Sequence, residues 1–351
     1  MQRTLRRLGF MLTISAALAT TLEAQWPPLS TPRPSPAASV AQTVGVTEIA
    51  IHYSRPMVKG RTVWGDLVPY GEVWRAGANE NTTISFSTPV RVGGQPLAAG
   101  SYGLHMLPAA GDWQVIFSKV DTNWGSFSYA EKEDALRIPV KPEAAPFEEA
   151  LRYEFDAPTN TSVVAALRWE KLRVPFTIEA DTPALVVAGL RRDLHGLQQF
   201  FWQPWNQAAN YCLQNQVNLD EAMTWIDRSI GINENFANVN TKSRLLAKRG
   251  DAAGAKALID KALPKANEAE LNTYGYQLMG ENDLTGALAI FRRNVAEHPG
   301  SWNVHDSLGE GLATAGQTAE AIAAYEKALA MAPEAQRTRI EGILAKLAAK
   351  K

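Results

Sequence analysis

The sequence predicts a multidomain β plus α chain, in which an N-terminal antiparallel β-sandwich or barrel-like domain precedes an α-helical solenoid. Two observations support this fold class. Up to about residue 180, apolar residues alternate with period two in short runs separated by turn residues, as antiparallel sheets require. From residue 195 the apolar spacing is helical and repeats. With 351 residues, 46% of them hydrophobic, the chain is long enough to bury both cores.

The first 38 residues are predicted to lie outside the folded domains. Residues 1–24 resemble a secretory signal peptide, because three arginines precede an apolar run at Leu8–Leu18 and small residues continue to Ala24. Residues 25–38 hold five prolines, which remove backbone donors and favour an extended tether. We therefore expect an exported protein, periplasmic or extracellular, with no membrane-spanning segment once the signal is removed.

Residues 39–180 form the predicted β-domain. Glycine-rich turns at Gly93-Gly94 and Gly100 separate several of the alternating runs. Eight or nine strands at this spacing are typical of a sandwich or barrel. The predicted strands are Val40–Val44, Thr47–Tyr53, Thr83–Ser87, Ser101–Leu107, Trp113–Ser118, Leu136–Val140, Leu151–Phe155, Thr161–Trp169 and Leu172–Ile178.

A linker at residues 181–194 leads to helical repeats at residues 195–335. In the last two repeats Gly309 follows Gly275 by 34 residues, and the pairs Ala287/Ala321, Phe291/Tyr325 and Pro299/Pro333 share that offset. This is the period of tetratricopeptide units, which stack helix pairs into a solenoid with a concave binding surface. The small residues are expected where paired helices approach closely. Residues 336–351 are predicted to cap the solenoid as one more helix.

The stretch Ser54–Thr83 is too long and too aromatic for an ordinary connection or a disordered segment. One hypothesis is a polar pocket between two tryptophans, in which arginines bind a small polar ligand or glycan. The alternative is that its acidic and basic residues pair with each other and hold an irregular loop on the sheet. The ligand-binding hypothesis names Arg55, Lys59, Arg61, Trp64, Trp74, Arg75, Asn79 and Glu80.

Other candidate residues carry weaker signals. His52 and His105 are out of phase with the apolar residues of their strands, so both could face solvent or one polar site, and Glu80 could join them as a metal ligand. A surface location is the commoner case for such histidines. Cys212, the only cysteine, is expected to be a small buried hydrophobe. The cluster Phe200, Phe201, Trp202 and Trp205 is interpreted as repeat core or as a seam with the β-domain, and otherwise as a partner surface.

The sequence contains no G-x-S-x-G, H-E-x-x-H, C-x-x-C or phosphate-binding P-loop motif, so we predict no catalytic residues, metal or cofactor. A net charge of −1 argues against nucleic acid as a partner. The favoured hypothesis is a non-enzymatic protein that binds a small polar ligand through the β-domain and a protein or peptide partner through the repeats. One alternative is a hydrolase of an envelope glycan or peptide, with Glu80 or Asp66 as acid or base, and another is a purely structural interaction module.

Four uncommon strings occur in order along the predicted β-domain: SRPMVKGRTVWGDLVPYGEVWRAGANE, AAGSYGLHMLP, DWQVIFSK with TNWGSF, and LRWEKLRVPFTI. Together they resemble the bacterial domain-of-unknown-function family 2911. The resemblance covers about residues 39–178, and tetratricopeptide-like repeats often follow this domain in the family. It implies an exported envelope protein and assigns no activity to any residue. The residues that match the first string are Arg55, Pro56, Lys59, Gly60, Arg61, Trp64, Gly65, Pro69, Tyr70, Gly71, Trp74, Arg75, Gly77, Ala78, Asn79 and Glu80.

Overall fold

The computed structural model describes residues 31–349. The predicted signal peptide and the first part of the tether lie outside the described residues. Within them, ten β-strands are followed by ten α-helices. The strands are β1 (Ala37–Val44), β2 (Thr47–Ser54), β3 (Thr83–Phe86), β4 (Val90–Val92), β5 (Gln95–Leu97), β6 (Gly100–Leu107), β7 (Trp113–Ser118), β8 (Asp134–Val140), β9 (Glu143–Asp156) and β10 (Ser162–Glu179). The helices are α1 (Thr182–Asp193), α2 (Trp202–Asn215), α3 (Leu219–Ile232), α4 (Phe236–Lys248), α5 (Ala252–Ala262), α6 (Glu268–Gly280), α7 (Leu284–Glu297), α8 (Trp302–Thr314), α9 (Thr318–Met331) and α10 (Glu334–Ala348).

The strands form two antiparallel sheets, which confirms the predicted β-sandwich. The first sheet has the order β1-β2-β3-β6-β7-β8 and the second β5-β4-β10-β9. Alternation directs one face of each sheet inward, where Phe117 of β7 meets Phe176 of β10 with ring centroids 6.0 Å apart. The opposite face of the first sheet carries His52 and His105.

Three details of the β-domain differ from the sequence prediction. The strands predicted at Thr161–Trp169 and Leu172–Ile178 are one strand, β10, because a bulge at Glu170, whose φ is 55°, bends the strand without ending it. Strand β9 begins at Glu143 instead of Leu151; it is an edge strand, where Pro146 is tolerated and polar residues hide the alternation. The short hairpin of β4 and β5 was not predicted as strands, although its Gly93-Gly94 turn was.

Two predicted boundaries also change. Strand β1 begins at Ala37, inside the predicted tether. The preceding Pro36 lacks a backbone N–H, but its carbonyl can still accept, and it accepts a hydrogen bond from the Arg55 backbone N–H at 2.9 Å. The predicted linker at residues 181–194 is helix α1, which begins where the Asp181 side chain accepts from the Ala184 backbone N–H. Leu185 of α1 contacts the β-core and Val187 contacts the helical core, so α1 belongs to both packing surfaces.

The remaining helices form four antiparallel pairs, α2–α3, α4–α5, α6–α7 and α8–α9, followed by α10. The predicted tetratricopeptide-like solenoid is therefore confirmed. A Cβ added at Gly275 would lie within 2.8 Å of three atoms of the Phe291 ring, and one at Gly309 within 3.0 Å of three atoms of the Tyr325 ring. The two glycines thus lie where paired helices approach closely, as the 34-residue offset indicated. Ile340 of α10 is fully buried against α9, so α10 covers the end of the stack.

Candidate functional site

The stretch Ser54–Thr83 is an ordered loop held by both sheets. The backbone groups of Trp74 and Met106 exchange two hydrogen bonds of 2.8 Å, which fasten the loop to β6. At its other end, the Val58 N–H donates to the Glu149 carbonyl at 2.9 Å and the Leu151 N–H donates to the Pro56 carbonyl at 3.0 Å, which fasten it to β9. These ladder-like bonds satisfy backbone groups that would otherwise be buried without partners.

The first arginines of the loop bind backbone carbonyl groups. Arg55 Nε donates to the Leu151 carbonyl at 2.8 Å, and Arg61 donates to the carbonyls of Val58 at 3.0 Å and Met57 at 2.5 Å. Lys59 is fixed through its backbone N–H, which donates to Glu149 Oε1 at 2.9 Å. The alternative prediction, that acids and bases of the loop pair with each other, is therefore wrong for these residues.

Trp64 and Trp74 lie in a cluster of four indole rings. Their ring centroids are 5.8 Å apart in an edge-to-face contact, and Trp64 also meets Trp113 at 4.9 Å and Trp169 at 5.7 Å. Trp74 stacks on Trp169 with an interplanar angle of 20°. Because the rings touch, no ligand fits between them, and the expected pocket walled by Trp64 and Trp74 is wrong. The two tryptophans complete the β-core.

The last three residues of the proposed ligand set lie together, apart from Arg55, Lys59 and Arg61. Arg75 Nη1 donates to the Asn79 carbonyl at 3.3 Å, and the Asn79 side chain donates to the Ser35 carbonyl at 3.0 Å. Glu80 pairs with Arg33 at 2.7 Å, with both side chains about half exposed. The hydrogen bond from backbone N–H and the bond from Arg33 lower the pKa of Glu80, the direction opposite to that needed for a general acid.

A buried polar cluster that the sequence did not predict lies beside Arg75. Residues 119–130 cross the outer face of the first sheet and cover His105, whose Nδ1 is 3.0 Å from Ser126 Oγ and which is fully buried. In the described residues, three buried atoms of this cluster have no hydrogen-bond partner: Arg75 Nε, Asn81 Oδ1 and His105 Nε2. Burial lowers the pKa of His105 to about 4, so the ring is neutral near pH 7. Gly103 allows the cover, since a Cβ there would lie 2.5 Å from the Val120 carbonyl oxygen.

The prediction for the two histidines is confirmed only in part. They share the outer sheet face, but His52 is exposed and His105 is buried. Among residues 31–349 no three His, Cys, Asp or Glu side chains are close enough to hold a metal ion. Next to His105, Tyr129 donates to Asp134 at 2.8 Å and accepts from Arg137, which itself donates to Asp134. Burial, followed by the bond to Asp134, raises the pKa of Tyr129 to about 12.

A second candidate site crosses the first helices of three successive pairs. It is a groove of about 380 Å³, and its residues recur at helical spacing, so each helix offers one face. Asn206 and Asn210 come from α2, and Asn240 lies 34 residues after Asn206 at the equivalent position of α4. In the part of the chain that the structure describes, the Asn206 and Asn210 side chains make no hydrogen bond, and Asn206 Oδ1 is buried. The lining residues are Asn206, Asn210, Phe236, Ala237, Asn240, Thr241, Arg244, Asn267, Ala269, Glu270, Thr273 and Gln277.

The α4 side chains Asn240 and Arg244 of the groove are already paired. Asn240 Nδ2 donates to Gln277 Oε1 at 2.6 Å, and Arg244 pairs with Glu281 at 3.3 Å. These two contacts join α4 to α6 and to the residue that follows it, and they leave the α2 amides as the unpaired polar groups at one end of the groove. The periodicity of the repeats places these faces in a row, but the repeat is recognised by its apolar and small residues, so the asparagines carry no signal in the sequence.

The remaining candidates fall into two groups. Cys212 is fully buried, and burial raises the pKa of its thiol to about 11, which confirms the small buried hydrophobe. Trp205 packs against the first helical core, as predicted. Phe200 and Phe201 are 65% and 53% exposed, so their assignment to the core is wrong. Phe200 ends a short 3-10 turn at Leu197–Phe200, and Phe201 follows it immediately before α2.

Comparison with known proteins bears separately on the two halves. Residues 35–178 match the family described as "Protein of unknown function (DUF2911)", which confirms the resemblance for the β-domain. No curated protein matches the chain significantly. No helix among the described residues is both long and apolar enough to cross a bilayer.

Several solved structures are similar to part of this chain. MamA, from residue 41 to its end, from Desulfovibrio magneticus RS-1 is 18% identical over 42% of this chain and 84% of that chain, with a TM-score of 0.30. YrrB, a TPR protein with an unusual peptide-binding site, is 16% identical over 46% and 84%, with a TM-score of 0.28. PilW, a widely conserved type IV pilus biogenesis factor, is 18% identical over 48% and 79%, with a TM-score of 0.32.

Proposed function

We propose that this chain is a protein-interaction protein whose helical repeats bind an extended segment of a protein partner. The observation that supports it most is the groove across α2, α4 and α6, with unpaired carboxamides at Asn206 and Asn210. A carboxamide both donates and accepts, so it can bind the N–H and C=O groups of a peptide backbone. Asn206 Oδ1 is buried without a partner, and such an atom carries a desolvation penalty of about 1–3 kcal/mol, which a bound main chain would relieve.

A peptide selection tests this proposal. A random peptide library is selected against the full chain, and the affinity of an enriched peptide is measured by fluorescence anisotropy. Because each lost hydrogen bond is worth about 0.5–1.5 kcal/mol, the double variant Asn206→Ala/Asn210→Ala should bind roughly tenfold more weakly. The matched control is Gln203→Ala/Gln207→Ala, which removes two exposed carboxamides outside the groove on the same helix. Equal binding by both double variants would contradict the proposal.

A second binding function, for a small hydroxyl-bearing ligand such as a sugar, is proposed for the β-domain. It is supported by the three unpaired atoms around His105, since a hydroxyl can accept from Arg75 Nε and donate to Asn81 Oδ1. The covering segment would have to move to admit it. The test is a thermal-unfolding screen with common mono- and disaccharides. At about 100 times its dissociation constant, a ligand adds roughly 2.7 kcal/mol to stability, which raises the β-domain midpoint by about 5–10 °C.

A wild-type response that Asn81→Leu abolishes would support the site. Since that variant could also loosen the loop, Ser126→Ala serves as a milder second variant at the same cover. A screen in which no sugar shifts the midpoint would argue that an ordered water occupies the cluster instead.

The proposed setting is export. The support is in the sequence alone, namely the three N-terminal arginines, the apolar run Leu8–Leu18 and the small residues before Ala24. N-terminal sequencing of the protein recovered from the periplasm or medium of a bacterial host tests it. A mature protein beginning at Gln25 supports export with cleavage after Ala24, whereas an intact N-terminus in the cytoplasmic fraction contradicts it.

A further inference from the structure

A second cavity lies in the solenoid, on a different face of α4 from the groove. It has a volume of about 360 Å³ and is bounded by the end of α3, by α4 and by the end of α5. Its apolar lining comes from Ile230, Phe236, Val239, Leu258 and Ala262, of which Phe236 and Val239 are more than nine-tenths buried. Phe236 and Glu270 line both this cavity and the groove.

Two lysines at the rim of this cavity have no ion-pair partner among the described residues. Lys261 lies in the last turn of α5 and Lys265 three residues after its end, and no carboxylate in residues 31–349 is within 4.0 Å of either ammonium group. The third rim lysine, Lys242, is paired with Asp227 at 2.7 Å. Of the two rim carboxylates, Glu270 accepts the hydrogen bond of the α6 capping box at 2.9 Å. Glu234 is the second; both carboxylates keep their negative charge, so the lining carries three lysines against two glutamates.

We propose that this cavity binds a small amphiphilic anion, with an apolar chain inside and a carboxylate at the rim. The volume falls within the usual range of about 300–1,000 Å³ for small-molecule sites, and such sites are mostly apolar with a few placed polar groups. The apolar chain contacts Phe236 and Val239, while the carboxylate lies between Lys261 and Lys265. A carboxylate placed there would give both ammonium groups an ion-pair partner that no described residue provides within 4.0 Å, and a purely apolar ligand would not.

Isothermal titration of the full chain with octanoate, and separately with 1-octanol, tests the assignment. Octanoate should bind saturably at one site per chain, and 1-octanol at least tenfold more weakly. Lys261→Ala/Lys265→Ala should lower the octanoate affinity about tenfold and leave that of 1-octanol unchanged. Lys248→Ala/Lys327→Ala, which removes two lysines outside the cavity, is the matched control and should bind octanoate as the wild type does.

A cavity-filling variant locates the site. Val239→Trp should abolish octanoate binding while the protein keeps its helical circular dichroism. Should that variant fail to fold, Leu258→Trp, at a half-buried lining position, replaces it. Absence of saturable octanoate binding to the wild type overturns the proposal, as does equal binding of octanoate and 1-octanol. Unchanged octanoate binding in a folded cavity-filling variant also overturns it. None of these outcomes depends on whether the groove binds peptides.

Discussion

Substituting alanine for Gly275 should destabilise the solenoid, although glycine to alanine normally stabilises a helix. In an exposed helix interior the exchange gains about 1 kcal/mol. At Gly275 the new methyl group would lie within 2.8 Å of three atoms of the Phe291 ring, which is fully buried and cannot move into solvent. Overpacking of this kind costs about 1–3 kcal/mol, and the close approach of three ring atoms places this site at the upper end. The expected net loss is about 2 kcal/mol, or roughly 4–8 °C in the midpoint.

Two further glycines turn this expectation into an ordered series. Gly309→Ala should be milder, because the Tyr325 ring atoms lie at 2.9–3.0 Å from the added carbon. Gly342→Ala, in the middle of α10 with nothing within 4 Å of the added carbon, should stabilise the solenoid by about 1 kcal/mol. Urea unfolding followed by the helical circular dichroism signal gives the three values. If Gly275→Ala were as stable as the wild type, the close packing of the repeat helices would be refuted. A Gly342→Ala variant less stable than the wild type would refute the open space around that position.

Two other predictions concern the β-domain. His105 is buried with a pKa of about 4, below its ordinary value of 6.5, so the unfolded chain takes up the proton first as pH falls. The free energy of unfolding should therefore fall by up to about 1.4 kcal/mol per pH unit as the pH is lowered from about 6.5 to 4. Urea unfolding across that range should show a weaker pH dependence for His105→Gln than for the wild type. An equal pH dependence in both proteins would contradict the burial of His105. Glu80→Ala should lower the free energy of unfolding by less than about 1 kcal/mol, because the ion pair of Glu80 with Arg33 is half exposed. A fall of about 6 °C or more in the thermal-unfolding midpoint of the β-domain would contradict this and show that the pair supports the loop.

The sequence was most informative where one physical requirement acts on many residues at once. The 34-residue offset between Gly275 and Gly309 predicted the helix pairs and their close contacts, because a methyl group at either position collides with a ring on the paired helix. Period-two alternation predicted the inner faces of the sandwich, because each strand must bury one of its two faces against the core. These patterns repeat, so a single exception does not hide them.

The prediction failed where a partner lies far away in the sequence. Arg55 donates to a carbonyl of β9, 96 residues later, and nothing in the loop itself indicates that acceptor. His105 was expected at a polar surface, but the covering segment that buries it comes from residues 119–130, whose packing has no periodic signature. Helix α1 was missed because its apolar face is short, with Val187 as its one buried residue.

The loop and the groove also differ as binding surfaces, because the polar groups of the loop are already hydrogen-bonded and those of α2 in the groove are not. A ligand that bound Arg55 or Arg61 would have to replace bonds of 2.8–3.0 Å that already fasten the loop to the sheet, so much of the binding energy would be lost in breaking them. A peptide that bound Asn206 and Asn210 would break no bond within the described chain. Since recognition is a difference between bonds made and bonds lost, the groove has the larger potential gain. The repeats are therefore the stronger candidate for partner binding, and the charged loop contributes chiefly by holding Trp64 and Trp74 in the β-core.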